Sequence, residues 1–141
     1  MAKEPTQPLG LLLSEIEGVY HEIAVKAGLS DSELKILYTL HAKGNHCLLS
    51  DLSKLSGISR KTIHSAVKKL ASQELLTLAP YDDKSKSVYL TGDGWQMARK
   101  LVEPMAKAEN AILAGWSAAE RDTFLRLLDA YREGLRAYAE G

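Results

Sequence analysis

One cysteine, Cys47, stands in a chain of 141 residues, so no intramolecular disulfide framework is open to it. Long apolar runs are missing too. "LGLLL" near the start is far short of the roughly 18 residues a membrane helix needs, and Glu15 and Glu17 follow it, which excludes a signal peptide. The expected setting is therefore cytoplasmic, with no membrane partner. Metal-ligand spacing is also lacking: His21, His41, His46, Cys47 and His64 form no Cys-x-x-Cys or His-x-x-x-His pattern. Catalytic constellations fare no better. Asp82-Asp83 falls in a solvated loop, Glu15 and Glu17 point to different faces of a helix, and Gly92-Asp93-Gly94 is too short to cradle a phosphate without a Gly-rich loop and its lysine. Neither an enzyme nor a cofactor is expected.

Net charge is absent as well, since 18 cations balance 18 acids. The balance hides a segregation. Residues 1–35 carry three cations and six acids, whereas residues 52–90 carry seven cations (Lys54, Arg60, Lys61, Lys68, Lys69, Lys84, Lys86) against Glu74, Asp82 and Asp83. Between Lys54 and Lys69 there is no acid at all. A nucleic-acid footprint is a property of one face and not of the whole chain's isoelectric point. A lysine-rich helix face, taken alone, is ordinary solvated surface. Its neighbours in sequence decide what it is.

With 45% apolar and 26% charged residues, the composition is that of a globular protein, and the length suits one domain over residues 1–141. There is no repeat of 20–50 residues and no low-complexity stretch. Leu9, Leu12, Leu13, Ile16, Val19, Tyr20 and Ile23 recur at three- and four-residue steps, which predicts an amphipathic helix to about Lys26. Ser30 and Glu33 form a capping box for a second helix, which should stop at Gly44. A short helix is expected from Leu49 to Ser56, then a tight turn at Gly57-Ile58, then a helix capped by Ser59. After Gln73 the period changes. "LLTLAP" and "SVYLT" flank the polar "YDDKSK", the pattern of an antiparallel hairpin. From Thr91 a helical stripe resumes through Trp95, Ala98, Leu101, Val102, Met105 and Ala108, and Pro104 inside it should bend the helix or end it near Glu103. Ser117 and Glu120 box the start of a last helix, whose stripe is Phe124, Leu127, Leu128, Tyr131, Leu135 and Tyr138.

This order predicts a mainly α fold with a small β-hairpin wing: a winged helix-turn-helix over residues 30–91, flanked by helices over 9–29 and 92–141. In the basic helix, Ile63, Ala66, Val67 and Leu70 form the core stripe, while Arg60, Lys61, His64, Ser65, Lys68 and Ser72 fall largely on the other side. Short side chains there allow close approach to base edges, and cations suit phosphates or guanine. Ser59, Arg60 and Lys61 begin the helix that this geometry places in a major groove.

The stretches "LSDLSKLSGISRKTIHSAVKKLASQELL", "DDKSKSVYLTGDG" and "WSAAERDTFLRLLDAY", in that order and spacing, resemble the MarR family of bacterial transcription regulators across nearly the whole chain. The resemblance implies a homodimer built from the terminal helices, pseudo-palindromic double-stranded DNA as partner, and regulation by a small-molecule or redox signal. Apolar stripes at both chain ends with no third layer to cover them agree with the dimer. The candidate DNA-contacting residues are Ser59, Arg60, Lys61, Thr62, His64, Ser65, Lys68 and Lys69 in the helix and Lys84, Ser85 and Lys86 in the wing, with Asp82 orienting the wing. Three departures stand out. Ser65 replaces a usual arginine, Glu74 a usual glycine before the strand, and Lys84 the arginine of the wing's Asp-x-Arg. Glu74 requires either a left-handed non-glycine residue or a differently built turn. Tyr20, Tyr38 and Trp95 are candidates for binding a small aromatic effector. Cys47 reads first as a small buried hydrophobe at the start of the third helix; a redox-sensor role needs exposure and a lowered pKa. The expected function is a sequence-specific transcriptional regulator, a repressor relieved by its signal. The competing classes are a winged-helix protein-interaction module and a non-specific architectural DNA binder.

Overall fold

The computed structural model describes residues 8–141; residues 1–7 of the expected single domain lie outside the described residues. The order is α1 (Leu9–Lys26), α2 (Asp31–Ala42), β1 (His46–Leu48), α3 (Leu49–Ser56), α4 (Arg60–Ser72), β2 (Leu76–Pro80), β3 (Lys86–Leu90), α5 (Gly92–Ala114) and α6 (Ala118–Glu140). The chain divides into two compact units, residues 1–102 and 103–141, with the division inside α5.

In the first unit, Ile36 and Leu40 of α2, Leu52 of α3, Ile63, Ala66, Val67 and Leu70 of α4, Leu76 of β2 and Val88 of β3 bury one another. All four expected stripe residues of the basic helix are in this core, so its charged side is left outside. A smaller cluster joins Leu37 of α2 to Ala98 and Val102 of α5, with Tyr38 packed against it. Helix ends follow the sequence chemistry. Ser30 and Glu33 form the full capping box of α2, and Ser59 Oγ accepts from the Thr62 N–H.

The sheet departs from expectation, and the last turn of α4 settles which of two builds the chain uses. The hairpin is not alone: β1 adds to β3, giving the antiparallel order β1-β3-β2 with Cys47 opposite Val88. Cys47 is therefore a strand residue, not the first residue of α3. At the end of α4, Glu74 adopts φ 61°. Its N–H donates to the Ala71 carbonyl and the Leu75 N–H to that of Leu70, both at 3.0 Å. This is the Schellman pattern, with glutamate in the left-handed position. Of the two ways to build this turn, the chain uses the strained one.

In the second unit, the Ser117–Glu120 capping box starts α6. Arg121 Nη1 donates to the Trp116 carbonyl at 2.9 Å and to that of Leu113 at 3.3 Å, serving acceptors left over at the end of α5. Trp116 and Phe124 meet edge to face, ring centroids 5.0 Å apart. No residue of α6 is buried. Pro104 does not end its helix, since α5 runs on to Ala114. Pro104 is exposed while Val102 and Met105 are buried, so water can serve the carbonyl that a proline leaves unbonded. Among the described residues, no helix is long and apolar enough to cross a membrane.

Candidate nucleic-acid interface

The turn between α3 and α4 is held by serines. Gly57 takes φ 72° and closes α3 through its N–H to the Ser53 carbonyl at 3.1 Å. Ser53 Oγ donates to the Ile58 carbonyl at 2.7 Å, and the Ile58 N–H donates to Ser56 Oγ at 3.2 Å. These bonds fix where α4 begins and hence where Arg60 and Lys61 project. No acid lies in the first turn of α4, so its positive dipole end is uncompensated, as suits an anion.

The wing is shaped by Asp82. Its Oδ1 accepts from the Lys84 N–H at 2.8 Å and from the Ser85 N–H at 2.7 Å. The bond from the Lys84 N–H is the largest influence on its carboxyl and lowers the pKa; desolvation opposes it, and the bonds with Ser85 lower it further. An ionised Asp82 thus sets the backbone of the turn and does not pair with the lysine heads.

Between α3, α4 and the wing lies a groove of about 870 Å³. Lys54 lines it from α3, Arg60, His64 and Lys68 from α4, and Lys84, Ser85 and Lys86 from the wing, with no acid in the lining. The five cations and His64 are all exposed. Lys54, Ser50 and Ser53 are groove residues the sequence reading left out. Lys54 begins the acid-free run of the sequence, and the packing of α3 brings it to this surface. Ser59, Lys61, Thr62 and Ser65 are exposed on α4 outside this lining, with Ser59 and Thr62 occupied by the cap. Lys69 stands apart. Its Nζ donates to Glu33 Oε1 at 3.3 Å, so it is held against α2 and not in the groove.

The remaining candidates lie outside the groove lining. Tyr20 and Tyr38 are half-buried, and Trp95 is 39% exposed with the Arg99 guanidinium 5.2 Å from its ring centroid. Cys47 is half-buried. Burial raises its thiol pKa, Asp51 adds to the rise, and Lys43 offsets part of it. Among the described residues, no three His, Cys, Asp or Glu side chains are grouped to hold a metal ion.

A family model described as "MarR family" matches residues 27–84, which run from just before α2 through β2 into the turn of the wing. Over that span, under half of the chain, the sequence is similar to the MarR family. The family is one of transcriptional regulators and not of enzymes. No curated protein matches the sequence. Solved structures do. NMB1585, a MarR family regulator from Neisseria meningitidis, is 21% identical with a TM-score of 0.80, covering 94% of each chain. The MepR–DNA complex of S. aureus is 16% identical with a TM-score of 0.73, over 94% of this chain and 99% of that one. The PcaV transcriptional regulator of Streptomyces coelicolor, in complex with its natural ligand, is 22% identical with a TM-score of 0.68, over 94% and 98%. At these identities the likeness is one of fold alone, and it covers nearly the whole chain.

Proposed function

We propose that this chain is a MarR-family, sequence-specific DNA-binding regulator that acts as a homodimer in the bacterial cytoplasm. One observation carries the reading: the groove between the recognition helix α4 and the wing is lined by five exposed cations and no acid. Phosphates supply affinity to such a surface through counterion release, and the first turn of α4 supplies base contacts from Arg60 and Lys61. The DNA complex of MepR, which shares the fold, supports the same use here. The domain scheme follows: residues 30–91 bind DNA, and residues 9–29 and 92–141 dimerise.

The dimer is supported by apolar faces that this chain leaves uncovered. Leu12, Ile16 and Val19 of α1 are 45–56% exposed, and Leu127, Leu128 and Leu135 of α6 are 40–54% exposed. A second copy covering both faces removes them from water, and two-fold symmetry then requires a pseudo-palindromic operator. Repression relieved by a small aromatic molecule bound near Tyr20, Tyr38 and Trp95 is the regulatory part of the proposal. PcaV, of like fold, binds its natural ligand. A redox signal at Cys47 is less well supported, because a thiol with a raised pKa yields little thiolate.

The test is binding to the DNA upstream of its own gene, at two salt concentrations, against random competitor. Preference for one sequence supports the reading; equal affinity for all DNA makes it an architectural binder, and no binding makes it an interaction module. Sedimentation at micromolar concentration should give roughly twice the 15.5 kDa chain mass.

A further inference from the structure

The start of α2 is tied to two other helices from opposite sides. Asp31 and Lys35, one turn apart, face α1: His21 Nδ1 lies 2.7 Å from Asp31 Oδ1, and Lys35 Nζ lies 3.4 Å from Glu17 Oε2. Glu17 and His21 are themselves one turn apart, so two successive turns of each helix are matched. Glu33, between Asp31 and Lys35 in sequence, leaves α2 on the other side. There its carboxylate accepts from Lys69 Nζ of α4 at 3.3 Å.

The three pairs are not alike. Those to α1 are exposed, and such pairs hold little alone. The Glu33 side chain is only 3% exposed, against 60% for Lys69. Its Oε1 also accepts from the Ser30 N–H at 3.0 Å. A buried carboxylate that loses its cation is left uncompensated, which is costly. Lys69 therefore cannot leave Glu33 for a phosphate without stranding it, whereas its neighbour Lys68 lines the groove free of such a tie.

We propose that Lys69 is a positioning residue and not a DNA contact: with Glu33 it sets the orientation of the recognition helix on α2. The inference rests on the DNA-binding reading above. It deepens that reading by naming the pair that positions the recognition helix.

The test compares Lys69→Met, Glu33→Gln, the double variant, Lys69→Arg and Lys68→Ala with wild type. Each is titrated over a salt series with the preferred sequence and with random duplex DNA. Glutamine at 33 can keep the bond from Ser30 while removing the charge. Lys69→Met should leave the slope of log K against log salt unchanged but lower the specific-to-random ratio about five-fold or more. Glu33→Gln should do the same, the double variant should be no worse than either single one, and Lys69→Arg should restore the ratio. Lys68→Ala should instead cut the slope by about 0.9 per contact and weaken both DNAs alike. The inference is overturned if Lys69→Met behaves as Lys68→Ala does, or if the losses of the single variants multiply. Should Lys69→Met fail to fold, Glu33→Gln and Lys69→Arg still decide, because a Glu33→Gln ratio equal to wild type overturns the proposal. A wild-type protein that prefers no sequence overturns the DNA-binding reading as well; the other three results overturn this inference alone.

Discussion

Gly94→Ala adds a single methyl group where there is no room for one. A Cβ on buried Gly94 would stand 1.9 Å from the Leu75 carbonyl oxygen, 2.9 Å from its carbon and 3.3 Å from Cα. All three are backbone atoms, so no rotamer change can relieve the contact. Restoring an ordinary separation moves the start of α5 away from Leu75 by roughly an ångström or more. That seam is hydrogen-bonded throughout. The Thr91 N–H donates to the Leu75 carbonyl at 3.1 Å, Thr91 Oγ1 donates to the Glu74 carbonyl at 2.7 Å, and the Gly94 N–H donates to Thr91 Oγ1 at 3.0 Å. Overpacking costs about 1–3 kcal/mol, and loss of the Thr91 cap adds about 1 kcal/mol. Alanine's better helix propensity returns just under about 1 kcal/mol. The net expectation is a loss of about 1–3 kcal/mol. Urea unfolding at fixed protein concentration should show a midpoint lowered by on the order of 1 M with an unchanged m-value. A variant as stable as wild type would refute the reasoning, because propensity would then have outweighed a contact that was never tight.

Other expectations concern DNA and acid. Arg60→Ala should cost about 1–3 kcal/mol on the preferred sequence and much less on random duplex; equal losses in a competition assay would demote Arg60 to a phosphate contact. Lys86→Ala should lower the salt slope by about 1.8 in a dimer that holds the lysine twice, and a slope unchanged from wild type would remove the wing from the interface. Asp82→Ala makes the surface more basic yet should weaken binding, since two backbone N–H groups of the wing turn lose their acceptor; a gain in affinity by fluorescence anisotropy would contradict this. Burial works to raise the Glu33 pKa, but the bonds from Ser30 and the Lys69 ammonium outweigh it and leave the carboxyl lowered. Its contribution to stability is therefore full above the ordinary carboxylate range and lost as pH falls through the lowered value. Unfolding midpoints measured from pH 7 to pH 3 should fall less steeply for Glu33→Gln than for wild type.

Much of this architecture is legible in the sequence because its signals are local. The apolar spacing of α1, the Ser30–Glu33 and Ser117–Glu120 boxes, Gly57 and the Ser59 cap each act within one or two turns, and the helices begin and end where they indicate. β1 was not legible. His46-Cys47-Leu48 is too short to alternate, and what makes it a strand is the edge of β3, far along the chain. Pro104 misled for a related reason, since a proline's penalty depends on whether water reaches the carbonyl it orphans, which sequence alone does not reveal. The candidate interface divides the same way. Helical periodicity puts Arg60, His64 and Lys68 on one side of α4, and the hairpin brings up Lys84 and Lys86. That Lys54 joins them while Lys69 turns to Glu33 depends on how α2 and α3 pack, and no spacing within α4 records that.

The short pairing of β1 with β3 bears on how the molecule comes apart. His46–Leu48 joins Ser87–Tyr89, closing a loop of roughly 40 residues that holds α3, α4 and β2. The wing is thus knotted at its root to the segment that precedes the helix-turn-helix and cannot peel away as an independent hairpin. Its amides should exchange with solvent together with those of α3 and α4, as one cooperative block. A ligand or partner that loosens β1 would then release the recognition helix and the wing in the same event.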